Sequence, residues 1–192
     1  GTNVLRYEGE FYHGKEIGMF KFYLNIENKA LLSATKKFNK NDNKASVKFY
    51  SSKGKLISEG HMDGKTYIGE WKYYQKDSDK LLIFEHYNDL GELHGERFVY
   101  YSSGQMAEKE NYMNGVLSGI SFIYSENNIV LNEFIYREGV LDGISKAYNA
   151  KGELTIEGGY KQGKKYGIWK YYEAGKLVEE KDVTIQSKPQ KE

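Results

Sequence analysis

The chain has 192 residues, 39% of them apolar, a formal net charge of +1 and no cysteine. That length holds one ordinary domain or one repeat array. The near-zero charge supplies no global field for nucleic acid, and the missing thiols remove disulfides, thiolate catalysis and thiolate metal sites. No apolar run approaches the roughly 18 residues of a membrane-spanning helix. Eighteen tyrosines, nine phenylalanines and twenty-one glycines stand against one proline, Pro189. Rings suit a pleated surface and glycine supplies positive φ, so the composition predicts strands and tight turns.

In chain order, the opening "GTNVLRYEGE" has neither the basic start nor the apolar stretch of a signal peptide. The first structured copy is "FYHGKEIGMFKFY" from Phe11: an aromatic, two further residues, Gly14, then Gly18 and a run ending at Tyr23. Residues 24–37, "LNIENKALLSATKK", are expected to form a longer hairpin turn and a strand. "FNKNDNKASVKFY" from Phe38 repeats the frame with Asn41 and Ala45 in the two glycine slots. Asn is the most plausible stand-in because it tolerates the left-handed region best among residues with a side chain. Further copies are "HMDGKTYIGEWKYY" from His61, "YNDLGELHGERFVYY" from Tyr87, "YMNGVLSGISFIY" from Tyr112, "YREGVLDGISKAY" from Tyr136 and "YKQGKKYGIWKYY" from Tyr160. The copy at Tyr87 fits with one extra residue before its first glycine and another in its strand. First glycines at 91, 115, 139 and 163 are 24 residues apart.

Within this series "GHMDGKT", residues 60–66, is one copy of a turn and not a phosphate-binding loop. That motif needs four residues between its glycines and a helix after them, whereas here three residues intervene and "YIGEWKYY" follows as a strand pattern. A second imitation, "GGYKQGKK" from Gly158, has Lys165 where the motif needs Ser or Thr.

After the second glycine of each copy the residues alternate, which is the period of a strand with two chemically distinct faces. One face carries Phe20/Phe22, Val47/Phe49, Trp71/Tyr73, Ser121/Ile123, Ser145/Ala147 and Trp169/Tyr171; the other carries lysines at 21, 48, 72, 146 and 170 with tyrosines. Turns such as "SSKGK" and "NAKG" follow, then second strands such as "KLISEGH" and "ELTIEGGY". The expected fold is therefore all-β, a single-layer antiparallel array of about seven β-hairpins. The array is expected to span residues 1–183, with 184–192 as a flexible tail too poor in apolar residues to fold.

The stretch "YKQGKKYGIWKYYEAGKL" at 160–177, with Trp71, Tyr73 and Tyr74 repeating its aromatic core, resembles the MORN repeat in its bacterial variant form. The resemblance spans about residues 7 to 180 and departs from the pattern at Asn41, Ala45 and the non-tryptophan slots. It implies β-hairpin solenoids that serve as interaction or scaffold modules, and some bacterial relatives carry an antitoxin label.

The expected function is a non-catalytic protein–protein interaction or scaffold module, with no catalytic residue, cofactor or metal and no nucleic-acid partner. Neutralisation of a toxin and peripheral binding of anionic lipid are the alternatives. The candidate partner-binding face is Trp71, Tyr73, Tyr100, Ser121, Ile123, Ser145, Ala147, Trp169 and Tyr171, because the ring-poor copies at Ser121 and Ser145 should leave a depression between larger side chains. The lysine ladder could grip anionic headgroups, unless Glu59, Glu85, Glu110 and Glu133 neutralise it across strands. Lysines 36, 37, 40, 44, 48, 53 and 55 form a local basic excess. His13, His61, His86 and His94 read as turn and surface residues, not ligands.

Overall fold

The structure, a computed structural model, describes residues 5–39 and 42–184. The expectations placed on Asn41, Lys40 and the tail beyond Thr184 lie outside the described residues. Residues 1–95 and 96–192 form two compact units. Every described element is a β-strand and every ladder between them is antiparallel, as a chain of hairpins requires.

The first unit holds β1 (Tyr7–Tyr12), β2 (Lys15–Ile26), β3 (Lys29–Phe38), β4 (Lys44–Tyr50), β5 (Leu56–Asp63), β6 (Thr66–Tyr74) and β7 (Leu81–Tyr87), each paired with the next. β8 (Gly95–Tyr100) begins on its last residue. The second unit continues with β9 (Met106–Met113), β10 (Val116–Leu117), β11 (Gly119–Tyr124), β12 (Val130–Arg137), β13 (Val140–Leu141), β14 (Gly143–Tyr148), β15 (Leu154–Lys161), β16 (Lys164–Glu173) and β17 (Lys176–Asp182). β10 with β11, and β13 with β14, are each one strand broken at a single residue, Ser118 or Asp142. The glycines that follow, Gly119 and Gly143, take φ of +83° and +143°. The ladder survives the break through Ser118 N–H to Asn111 O and Asp142 N–H to Ile135 O.

The first glycine of the frame makes the turn. His13-Gly14, Asn114-Gly115, Glu138-Gly139 and Gln162-Gly163 all have positive φ at both residues. That is the two-residue turn whose twist matches the flanking strands. The copy at Gly64 differs. Four residues separate Gly64 from Gly69 where other copies have three, and Gly64, at φ +58°, takes the first turn position with Lys65 second. Residues 24–37 also differ from expectation. No long turn forms there: β2 runs on to Ile26 and Glu27-Asn28, at φ +50° and +62°, reverse the chain at once into β3.

Cross-strand register sorts the side chains into rows. On one face of the first unit run Phe20, Lys36, Val47 and Gly60, with Tyr7, Phe22, Ala34, Phe49, Ser58 and Tyr73 beside them. Ala45, Val47, Met62 and Trp71 are buried there, packed by Phe38, Phe49, Tyr67, Tyr73 and Tyr87. The matching rows of the second unit carry Ser121 opposite Phe134 and Ser145 opposite Gly158, flanked by Ile123, Asn132, Ala147, Ile156 and Tyr171. The opposite face carries one row of charge, Glu8-Lys21-Thr35-Lys48-Glu59-Lys72-Phe84 in the first unit. In the second unit it reads Lys109-Phe122-Glu133-Lys146-Glu157-Lys170-Glu180.

Candidate functional site

The aromatic face is built on a size exchange between neighbouring strands. Trp71 is fully buried and lies flat over Gly60, eleven residues earlier; a Cβ on Gly60 would stand 2.3 Å from the indole. Tyr67 stacks on the ring at 3.8 Å between centroids, and the indole N–H donates to His61 O at 3.0 Å. Trp169 repeats the arrangement over Gly158, with its N–H on Gly159 O at 3.2 Å and the Lys165 ammonium 3.9 Å above the ring. Phe20 covers Gly9 in the same way. Where the slot is Ser145, the residue eleven earlier is Phe134, so the bulk comes from the other strand. Large meets small in each case.

The serine slots do not close completely. Ser145 and Ser121 are 6% and 5% exposed, and the hydroxyl oxygen of each is buried without a hydrogen-bond partner. Ser145 lines a cavity of about 160 Å³ with Phe134, Ala147, Ile156, Tyr160 and Trp169. Ser121 lines another of about 110 Å³ with Glu108, Glu110, Ile123, Phe134 and Tyr136. Phe134 is the wall common to both. Burial raises the phenol pKa of Tyr136, keeping it a neutral hydrogen-bonding group beside the second cavity.

Within its own unit, each of eight of the nine expected face residues lies on the aromatic side of its strand, but their accessibility varies. Trp71 and Trp169 are core rings, so they shape the surface without offering themselves to a partner. Tyr73 and Tyr171 are half-buried. Tyr100 is on the other face. The expected extra residue in β8 is not there: Tyr101 N–H bonds Gln105 O as Gln75 N–H bonds Lys80 O, which aligns Tyr100 with Tyr74. Arg97 then occupies the tryptophan slot and its guanidinium meets Glu110 at 2.7 Å, with the Tyr112 hydroxyl on the same carboxylate. Phe98, on Tyr100's side, lies under the Lys109 ammonium.

Three of the five ladder lysines meet carboxylates, two of them through the expected Glu59 and Glu133. Lys21 pairs with Glu8 at 2.8 Å, Lys48 with Glu59 at 3.0 Å and Lys146 with Glu133 at 3.9 Å. Glu59 also accepts from the Tyr74 hydroxyl at 2.5 Å, and that bond with the two lysines holds its carboxyl below the ordinary value. Burial, then the Glu59 hydrogen bond, pushes Tyr74 up to about 12. Glu85 and Glu110 are not part of this row. Glu85 sits opposite Trp71 on the aromatic face, 8% exposed and accepting from the Tyr87 hydroxyl. The local basic excess is divided too: Lys36 and Lys37 point to opposite faces, and Lys53 and Lys44 meet Asp77 and Asp89.

Among the described residues no three His, Asp or Glu side chains converge as a metal site would need. The imitation phosphate loop is the turn Gly64-Lys65, entering β6 directly.

The size exchange is what sequence reasoning missed. Its signal was available, as a glycine eleven residues ahead of Phe20, Trp71 and Trp169 and nowhere else in the series.

Residues 93–114 match the model of the family described as MORN repeat variant. No curated protein matches the chain. Among solved structures, a protein of unknown function from Bacteroides fragilis NCTC 9343 is similar at 10% identity over 82% of this chain and 92% of that one, with a TM-score of 0.20. A TM-score that low carries no argument about the fold. The matched segment, from the strand of Arg97 to the turn at Asn114, follows the same frame as the copies around it, and over those residues the chain is similar to the MORN repeat variant.

Proposed function

We propose that this is a non-catalytic binding module whose second unit takes hold of a partner protein through its aromatic face. Two cavities floored by unpartnered, buried hydroxyls, Ser121 and Ser145, are the observation that supports it. A buried polar group without a partner costs roughly 1–3 kcal/mol, so a ligand group that satisfies it is favoured by a comparable amount. The mainly apolar walls of the Ser145 cavity, with its one buried hydroxyl, suit a partner's side chain with an apolar body and a polar end, while Glu108 and Glu110 beside Ser121 suit a donor. Neither serine touches a base that could activate it, so nucleophilic chemistry is not the reading this geometry favours. Capture of a toxin, which the family resemblance implies, would be one use of the same face. Lipid binding draws little support from a lysine row in which Lys21, Lys48 and Lys146 already meet carboxylates and acids alternate with the rest.

The test is Ser145→Trp, with circular dichroism confirming the fold, in a capture experiment that compares wild type and variant on one lysate of the source organism. A protein retained by wild type and lost by the variant supports docking over Ser145. Equal retention by both would place the interface elsewhere and end this reading.

A further inference from the structure

The face opposite the serine cavities carries an exposed apolar strip in the second unit only. Beside the charged row lie Ile120, Ile135, Ile144 and Ile168, with Ile120 opposite Ile135 and Ile144 opposite Gly159. Ile120, Ile144 and Ile168 are 46%, 48% and 56% exposed, and Val116 and Val140 extend the strip toward the turns. The corresponding row of the first unit reads Met19-Lys37-Ser46-His61 and is polar after its first residue. Two copies of one repeat surface therefore differ in a way that folding alone does not demand. Contiguous exposed apolar side chains bordered by polar ones mark an interaction site.

The charges beside the strip identify its occupant. Glu133, Lys146, Glu157, Lys170 and Glu180 alternate in sign across successive strands, about 4.8 Å apart. An alternating row is complementary to itself when turned about a two-fold axis parallel to the strands. An axis between β14 and β15 sets Lys146 against Glu157 of a second copy, and Glu133 against its Lys170. The same operation lays Ile144 over the bare backbone of Gly159 and Ile135 against Ile168. Moving the axis one strand toward β9 brings Lys109 against Lys170, and moving it one strand toward β17 brings Ile144 against Asp182, whereas the β14/β15 register matches both rows on the four inner strands. We propose that this chain self-associates through the isoleucine face of its second unit, as a two-fold pair centred between β14 and β15.

Two twisted sheets packed face to face align within about 30°, so contacts nearest the axis are the closest and those at β11 and β17 lie on the rim. The strip crosses five strands, β11, β12, β14, β15 and β16, roughly 20 Å. That is narrow for the ~800 Å² per partner of a standard interface, so the association is expected to be weak and to depend on protein concentration. This proposal concerns the opposite face from the serine cavities and does not rest on the function proposed above.

Sedimentation equilibrium of the full chain over a micromolar-to-millimolar series is the test, with circular dichroism as the check on folding. Wild type should move from monomer to dimer. Lys146→Glu and Glu157→Lys should each lose the dimer, because each sets like charges together twice across the axis. An equimolar mixture of the two should recover it, since every cross-axis pair is then opposite in sign. Ile144→Ser, on an exposed side chain that the fold does not need, should also lose it. Wild type that stays monomeric throughout would overturn the proposal. So would single reversals that leave association unchanged, or a mixture that fails to recover it.

Discussion

Adding one methyl group at Gly60 tests the size exchange directly. In Gly60→Ala the new Cβ would lie 2.3, 2.5 and 2.6 Å from three atoms of the Trp71 indole, whereas ordinary contact begins near 3.4 Å. The ring must retreat by about 1 Å, or the two strands must separate. Trp71 is fully buried, stacked on Tyr67 and packed against Phe49, so no open space receives it. Overpacking of this kind costs about 1–3 kcal/mol. Losing the indole bond to His61 O adds about 1 kcal/mol, and Ala returns up to about 1 kcal/mol by restricting the unfolded chain. The net expectation is a loss of about 2–3 kcal/mol. At an m-value near 2 kcal/mol/M this lowers the urea midpoint by about 1–1.5 M. Each unit contains one tryptophan, so Trp71 emission in a Trp169→Phe background reports the first unit alone. The double variant Gly60→Phe with Trp71→Ser copies the Phe134/Ser145 pair and should cost less than the sum of its single changes, by a coupling of about 0.5–3 kcal/mol. A Gly60→Ala change within about 0.5 kcal/mol of wild type would refute the close approach, and strict additivity in the double variant would refute the exchange.

Lys65→Ala should leave stability within about ±0.5 kcal/mol, because Lys65 is an exposed turn residue; Mg-dependent ATP binding abolished by it would overturn the turn assignment. Gly143→Val should cost more than about 1 kcal/mol, since φ is +143° and a Cβ would stand 2.8 Å from that of Ile135. Gly119→Val should be milder, with φ of +83° but only Asn111 Nδ2 at 3.5 Å; equal urea midpoints for the two would contradict this ranking. Tyr74 should make stability fall in alkali. Its folded pKa, about 12, exceeds the ordinary phenol value of 10.0, so its contribution is complete below pH 10 and lost as pH rises toward 12. Absorbance titration of Tyr74→Phe should lose one phenol from the late-ionising amplitude that Tyr87 and other buried tyrosines share, and alkaline unfolding should then lose part of its pH dependence in that window.

The fold was legible because turn chemistry and period-two alternation both repeat. A glycine that must take positive φ leaves a sequence mark wherever the turn recurs, and the lysines after it mark the face. Register was less legible. The interval from Gly64 to Gly69 and the loop before Gly95 each vary by one residue, and in a strand one residue exchanges the faces. One residue of miscounting therefore puts Tyr100 on the aromatic side, where Arg97 holds the slot. Glu85 and Glu110 were misplaced for the same reason, since each stands one residue away from the charged row. The cavities were legible only in part. Ser121 and Ser145 show where a ring is missing, but that Phe134 partly replaces it depends on register and not on composition.

The size exchange also explains why one frame can fold and bind at once. A strand row is stabilised when each large side chain meets a small neighbour, and it does not matter which strand supplies the bulk. In the first unit the exchange places Phe20 over Gly9 and Trp71 over Gly60, and both rings are fully buried. In the second unit Phe134 faces serine on one strand and again, by repeat spacing, on the next, so a single ring serves two slots. One ring in place of two leaves volume unfilled, and a hydroxyl at the floor of each gap leaves a hydrogen bond unmade. Stability forgone there must be carried by the neighbouring strands, where Trp169 with its Gly158 partner closes the row. Removing an unmade hydrogen bond should therefore stabilise the second unit. Ser145→Ala, which removes the unpartnered hydroxyl at little change in volume, should raise its urea midpoint by the roughly 1 kcal/mol expected for relieving one buried polar group. Trp169 emission in a Trp71→Phe background gives the measurement, and a fall in midpoint would mean that the hydroxyl has a partner in the folded protein after all.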